Sequence, residues 1–493
     1  MALTGRLGAR ASRLTWRLSE GIPLDARSLA LSRIGFGALL LLDLRERVAL
    51  LSRFYTDAGF VPRAEARRLW AAVLPHALPP WSLHFFSGSS AFQAVLLALQ
   101  GAAGVALVVG YRSRIAALSA YVLLLSLCQR DVLVTGGDEW MLAAFLFWMP
   151  FVPLDGAFSI ESRLHEPRVL PRPRTVSSLG TLAFTAQLVM ILFFAGLQKV
   201  LSSEAWREGS ALHQVLQDVP ATPFGLSLGT LPLLDCVLSY GALVAELVGP
   251  WFLIFPVARP VRAAAILYIG ANLLGFAAAL EVGRLPWVAL AALVAHVPGS
   301  AWERLGLPAS LTPAGEVSTS PSGRHSKMMD VMLVVALLHA LAYNVARLRN
   351  DEAEPTWLEA LAGVVVPRQG WGMFRKVGLR GVPEWFVVAG TRNGETTPSI
   401  RLPDGHPLGL ELDSAASSLR GNQRWGYFWS RAEMLATDYP DVLQRYLQSE
   451  CDDFRPVAPL ERVEIVWVRG RRGARKHETL TAHTCSEARE PAP

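Results

Sequence analysis

The stretch FFAGLQKVLSSEAWREGSALH, residues 193–213, closes a long apolar run and carries one lysine, Lys199. The chain has four lysines against 43 arginines, and no other lysine precedes Lys327. Arginine stays protonated in proteins and cannot serve as a base. Lysine can, because burial against apolar walls favours its neutral amine, and Phe193, Phe194, Ala195 and Leu197 supply such walls. Lys199 therefore reads either as a general base or as a cation snorkelling from a helix end. After it, Trp206 suits an interface anchor, and Glu208 suits an ion-pair partner or substrate contact. A second candidate is TGGDEW, Thr135 to Trp140. There Gly136 and Gly137 turn into a helix, and Asp138 is expected as its N-cap or as an acceptor aimed at the same site as Lys199. Glu246 is ionisable inside an apolar segment, which marks it as functional or as half of a buried pair, with a residue such as Asn272. His76, Trp81 and His84 share one loop.

The elements that must position these residues are membrane helices. The composition is 52% hydrophobic and 18% charged, where soluble domains carry about 25% charge. The net charge of +6 comes from arginines in short loops between apolar runs, as orientation in a bilayer requires. No basic patch interleaved with aromatics points to nucleic acid. Cys128, Cys236, Cys451 and Cys485 show no zinc spacing, so no metal site is expected. Cys451 and Cys485 pair if their domain faces an oxidising compartment. Spans of about 20 apolar residues predict nine helices near 28–51, 90–110, 113–129, 137–154, 177–199, 230–256, 261–281, 285–299 and 328–347. The eighth is short enough to be re-entrant. With the N-terminus inside, inner loops hold 16 Lys and Arg and outer loops 8. That excess places the N-terminus in the cytoplasm and the tail outside.

The predicted organisation is a basic cytoplasmic arm (1–27), a membrane domain (28–347), a linker (348–364), an extracytoplasmic α+β domain (365–485) and a disordered tail (486–493). Strands are expected at WFVVAGTRNGETTPSI, at IRLPDGHPLGLEL and in RVEIVWV, with a helix over 431–449. The aromatic and basic segment RQGWGMFRKVG, Arg368 to Gly378, is expected to seat the outer domain on the membrane surface. The first helix carries Arg33, Asp43, Arg45 and Arg47, which should pair with one another or snorkel. In this topology Lys199, TGGDEW and the His84 loop meet at one outer mouth. Lys199 and Asp138 should then approach each other across a water-accessible space.

FFAGLQKV followed by WREGSAL resembles the motif of the horizontally transferred transmembrane (HTTM) family, related to the vitamin K-dependent γ-glutamyl carboxylases. RDVLVTGGDEWMLAAFLFWMPFVPLDG is similar to the family's preceding helix, and RQGWGMF with PEWFVVAG to its downstream segment. The resemblance implies Lys199 as the base on a reduced quinone, vitamin K- or menaquinol-like, with CO2 and O2 as co-substrates. It implies Asp138 as the second catalytic residue, standing where the carboxylases have a histidine. Gln198, which replaces the first of the family's two lysines, Trp206, Glu208, Gly209, Gly136, Gly137 and His84 would line the substrate and cofactor site. The expected protein is a polytopic bacterial inner-membrane carboxylase of lyase and monooxygenase type. Its partners would be membrane lipids and an extracytoplasmic peptide or protein substrate. The alternative is a non-catalytic membrane module that binds a lipid or protein partner through its outer domain. A transporter would need inverted repeats or paired broken helices, and neither is evident.

Overall fold

The computed structural model describes residues 22–74, 77–161, 175–218, 221–229, 231–306, 324–349, 358, 361–362, 368–375, 384–392, 394–397, 423–454, 459–469 and 476–485. Most of the predicted basic arm, the IRLPDGHPLGLEL strand and the 486–493 tail lie outside these residues.

A helix occupies each of the nine apolar stretches: α1 Ala26–Ala49, α2 Ser90–Val109, α3 Ser113–Arg130, α4 Gly137–Trp148, α5 Leu179–Ser202, α6 Pro232–Leu247, α7 Arg259–Ala279, α8 Leu285–Val294 and α9 Arg324–Arg349. Among the described residues, five segments are long and apolar enough to cross a membrane: Ser90–Val109, Leu179–Ser202, Leu234–Ile254, Arg259–Ala279 and Lys327–Leu348. Three of the other four have visible reasons for falling short. Pro150 and Pro153 follow α4 and hold it to 12 residues, since proline removes a backbone donor and clashes with the preceding turn. The eighth helix has only 10. The 24 residues of α1 include Arg27, Arg33, Asp43, Arg45, Glu46 and Arg47.

Helix starts follow capping chemistry. The Asp25 carboxylate accepts the Arg27 N–H at 2.8 Å to open α1. Ser178 and Thr181 exchange side-chain and backbone hydrogen bonds at 3.2 and 3.1 Å to open α5, a reciprocal cap. The bundle core stacks Phe36 on Phe145 at 5.3 Å and sets Phe145 against Phe184 at 5.1 Å. Outward, Val105, Val237, Leu267, Leu274 and Val335 are exposed, an apolar surface that hydrocarbon would solvate and water would not.

The tail forms an antiparallel sheet in the order β2–β1–β3–β4, from β1 Glu384–Arg392, β2 Glu395–Thr397, β3 Arg462–Arg469 and β4 Lys476–Thr484. The period-2 alternation sorts the two faces. Val387, Ala389, Val466 and Val468 cluster on one, while Val388, Val463 and Ile465 join the helices on the other. Arg392 pairs with Glu395, and Gly394 adopts φ +75°, consistent with the expected Asn-Gly turn. The predicted 431–449 helix is two helices, α11 Ala432–Asp438 and α12 Pro440–Phe454, because Pro440 can begin a helix but not continue one. They follow α10, Gln423–Trp429. Cys451 and Cys485 form a disulfide that ties α12 to the end of β4.

These helices share a core with the membrane domain. Trp425 packs against Phe54 at 5.2 Å and against Phe428 and Tyr446 at 5.8 Å, alongside Phe60, Trp70 and Val132–Val134. The 368–375 segment differs from its expected place on the membrane surface. Trp371 is buried; its indole N–H donates to Gln369 Oε1 at 2.8 Å. The Gln369 and Gln187 amides exchange hydrogen bonds at 2.9 and 3.1 Å. Two facing amides satisfy each other only when both leave water, and this draws the segment down onto α5.

Candidate functional site

Lys199 lies in the last turn of α5 and is 1% exposed, so it does not snorkel. Its Nζ donates to both carboxylate oxygens of Glu246 on α6, at 2.6 Å to Oε2 and closer still to Oε1. Glu246 is therefore half of a buried pair, and its partner is Lys199 rather than Asn272. Gly196 makes the pairing possible: a Cβ there would stand 2.9 Å from the Glu246 Cβ, so a side chain would push α5 and α6 apart.

Three aromatic rings complete the surroundings of the amine. Its Nζ lies 5.2 Å from the ring centre of Trp206, 5.6 Å from Phe276 and 5.9 Å from Phe374, within the range of cation–π attraction. Trp206 is delivered by the short helix Glu204–Glu208, which ends at Gly209 with φ +77°. A Cβ on Gly209 would also meet Tyr240 at 2.8 Å and the Cys236 Sγ at 3.0 Å, so both conformation and space require glycine here. Trp206 is more than an interface anchor. It is buried, and its Nε1–H donates to the Phe374 carbonyl at 2.7 Å. Gln198, also buried, lies directly beneath Gly372, where a Cβ would stand 2.3 Å from the amide oxygen. Glu208 is on the exposed side of its helix.

TGGDEW serves a different cluster. Gly136 is the N-cap of α4 and Asp138 lies inside the first turn, so Asp138 is not the cap. Its Oδ2 stands 3.0 Å from the Arg284 guanidinium, and its Oδ1 accepts the Tyr427 hydroxyl at 2.5 Å. The expected approach of Asp138 to Lys199 is replaced by two separate pairings. A charge buried in a low-dielectric interior takes the partner that packing brings nearest: α6 brings Glu246 to the amine, while α10 and the turn before α8 bring Tyr427 and Arg284 to Asp138. A Cβ on Gly136 would fall 2.1 Å from the Tyr427 ring, so Gly136 is a seat for that tyrosine. A Cβ on Gly137 would stand 3.5 Å from Leu285, an ordinary contact.

Asp138 is one member of a buried ionic network. Arg284 also contacts Asp43 at 3.1 Å, Glu46 at 2.7 Å and Glu139 at 2.9 Å. Arg47 donates to Asp43 at 2.8 Å and to the Tyr55 hydroxyl at 2.8 Å. From the tail, the fully buried Arg424 reaches Asp43 and Glu139 and donates to the Val134 carbonyl at 2.8 Å. Burial first, then the Asp138 and Glu139 carboxylates, holds the Tyr427 phenol well above its ordinary range, which keeps it a donor to Asp138. At the other end of α1, Arg33 donates to the Leu107 and Phe158 carbonyls at 2.6 and 2.7 Å, while Asp43 and Arg47 pair as expected.

His84 takes its hydrogen-bond partner from α2. It is fully buried, with Nδ1 2.5 Å from Gln93 Oε1, and burial pushes its pKa down to about 4. A lowered histidine pKa means the neutral ring is the folded form. Stability from His84 is thus complete above its ordinary value near 6.5 and falls as the pH drops toward 4. Across that window the native chain is expected to lose on the order of 3 kcal/mol more than His84→Gln, read from denaturation at each pH. The comparison separates His84 from Asp131, which burial raises to about 6 and which responds in the opposite sense. Equal pH dependence in both chains would refute the assignment. Trp81 donates its backbone N–H to Gln129 at 2.8 Å. His76 lies outside the described residues.

Lys199, Gln198 and Trp206 are thus brought together, and Gly136 joins Asp138. Seven residues of these clusters were not anticipated from sequence: Glu46, Tyr55, Phe276, Phe374, Arg284, Arg424 and Tyr427. Only Phe374 had a local signal, as part of the RQGWGMF segment. No group of His, Cys, Asp and Glu among the described residues is arranged to hold a metal ion. A family model, the HTTM domain, matches residues 22–300. No curated protein and no solved structure matches the chain. With more than half of its length matched across the helices that carry Lys199, Glu246 and Asp138, the chain belongs to the HTTM domain family.

Proposed function

We propose that this chain is a vitamin K-dependent carboxylase-like membrane enzyme in which Lys199 and Glu246 act as a proton-exchanging pair on a quinol-like lipid. The HTTM domain is linked to vitamin K-dependent carboxylase-related membrane proteins. The observation that carries the reading is a lysine 1% exposed, hydrogen-bonded to one buried carboxylate and walled by three aromatic rings. A cation snorkelling from a helix end to the headgroups would need neither the carboxylate nor the rings.

The residues fit such a ligand by the chemistry of the donor set: flat apolar rings for an aromatic head group, and an amine–carboxylate pair for its hydroxyl. A reduced quinone would supply an oxidisable hydroxyl, with CO2 and O2 as co-substrates. In this reading Glu246 Oε2 takes the proton from Nζ, and the neutral amine accepts one from the ligand hydroxyl. Trp206 and Phe276 exclude water and orient the head group, and Gln198 supports the amine's helix. The acceptor of the carboxyl group would be an extracytoplasmic peptide or protein. Glu208, on the exposed side, would contact it.

The purified chain is expected to oxidise a reduced naphthoquinone in the presence of oxygen. Lys199→Arg and Lys199→Ala should each slow this on the order of a hundredfold or more, and methylamine should restore part of the Ala variant's rate. Native rates in Lys199→Arg would sink the base assignment. One observation favours the second reading, a non-catalytic module presenting its outer domain to a partner: Asp138 is engaged by Arg284 and Tyr427. That reading predicts no quinol oxidation by any variant.

All nine helices are taken to enter the membrane, with the N-terminus inside a bacterial inner membrane and the tail outside. The Cys451–Cys485 disulfide supports this, because such bonds persist in oxidising compartments. A phosphatase reporter active only outside the cytoplasm, fused after Cys485, should be active. Activity only from a cytoplasmic reporter would overturn the orientation.

A further inference from the structure

Phe374 combines two observations that structural packing alone leaves unexplained. Its φ of +56° puts a bulky side chain in the left-handed region, where such residues are outliers that persist only when their surroundings impose the conformation. Its ring stacks nearly parallel on Phe276, with centres 5.8 Å apart and planes at 19°, and lies 5.9 Å from the Lys199 Nζ. Trp206 holds the Phe374 carbonyl, and Gly372 lies flat on Gln198. Upstream, Trp371 and Gln369 are buried and hydrogen-bonded. Gly370, at φ +116°, separates Gln369 from the rest of the strap. Gly372 to Arg375 are only half-buried. Of the rings around Lys199, Trp206 is buried, and the two half-buried ones are Phe276 and Phe374.

We infer that the face of Phe276 beside Lys199 is a stacking subsite for a planar aromatic head group bearing ring oxygens, and that Phe374 occupies it as a tethered stand-in which the ligand displaces. The geometry accounts for both facts: the parallel ring marks what the subsite accepts, and the left-handed backbone marks a strap held under strain that departure of the ring would relieve. Displacement gives up the Trp206–Phe374 hydrogen bond, leaves Glu246 in place and gives the ligand's oxygen access to Nζ. The inference rests on the quinol reading above and specifies where that head group binds.

The test uses the full chain in detergent and 2,3-dimethyl-1,4-naphthoquinone, a two-ring probe with no free position to react with thiols. Calorimetric titration compares the native chain with Phe374→Gly and Phe276→Ala. Removing the competing ring is expected to tighten binding on the order of tenfold, as when a mostly closed site becomes fully open. Phe276→Ala should lose binding. If Phe374→Gly binds no tighter than the native chain, or Phe276→Ala binds equally well, the subsite is overturned while the quinone reading stands. If the native chain and both variants fail to bind, both fall. A second measurement needs no variant: hydrogen exchange at the 372–375 amides of the native chain should speed up on adding the probe. Slower exchange there would overturn the displacement.

Discussion

Lys199→Met is expected to destabilise the protein by about 3–5 kcal/mol, because it leaves the Glu246 carboxylate buried without its cation. The Glu246 side chain is 7% exposed and that of Lys199 1%, so water cannot replace the lost partner. The pair as a whole contributes far less than its breakage costs, since two desolvation penalties offset most of the attraction. Adding Glu246→Leu to Lys199→Met should therefore restore stability to within about 1–2 kcal/mol of the native chain. Thermal unfolding in detergent of the two single variants and the double variant forms the cycle that reads this coupling. Additive single effects would mean the two side chains do not interact, and the proposed proton exchange would fail with them. Restored stability without quinol oxidation would support the functional reading, since packing alone would then be intact.

A loss of similar size is expected at the second cluster. Arg424 brings a fully buried guanidinium from the tail into contact with Asp43 and Glu139. Arg424→Met would leave those carboxylates to Arg47 and Arg284 and orphan the Val134 carbonyl. Breaking a buried ionic contact from one side costs about 3–5 kcal/mol. The effect should also be directional. Since α10 is held by Arg424, Tyr427 and the Trp425–Phe428 aromatic cluster, its release should expose 423–454 to protease while the membrane helices stay intact. Gly136→Ala should produce the same release by another route, by driving a methyl into the Tyr427 ring. Protease resistance equal to the native chain in both variants would show that the tail is held by other contacts.

Much of this arrangement follows from local sequence. Hydropathy over about 20 residues is a property of neighbouring side chains, so the helices were legible, as were the Asn-Gly turn and the alternation in WFVVAG and RVEIVWV. The lysine was legible too, because a lone exception to an arginine-rich composition needs no partner to be noticed. Only burial rules out the alternative, a snorkelling cation. Glu246 was visible as an ionisable group in an apolar run, but its partner sits 47 residues away. Hydropathy does not say which two helices touch; Gly196, which lets α5 and α6 close on each other, acts only after they meet. Asp138 shows the same limit from the other side. Its position at the start of α4 was readable, yet its contacts come from Arg284 and Tyr427, 146 and 289 residues further on. Pairing Cys451 with Cys485 needed the sheet that brings α12 beside β4. Local composition and hydropathy say which residues must leave water and which charges then require partners. The tertiary structure decided which partners they take, because in a low-dielectric interior the choice depends on the packing of distant helices, a long-range property no local pattern encodes.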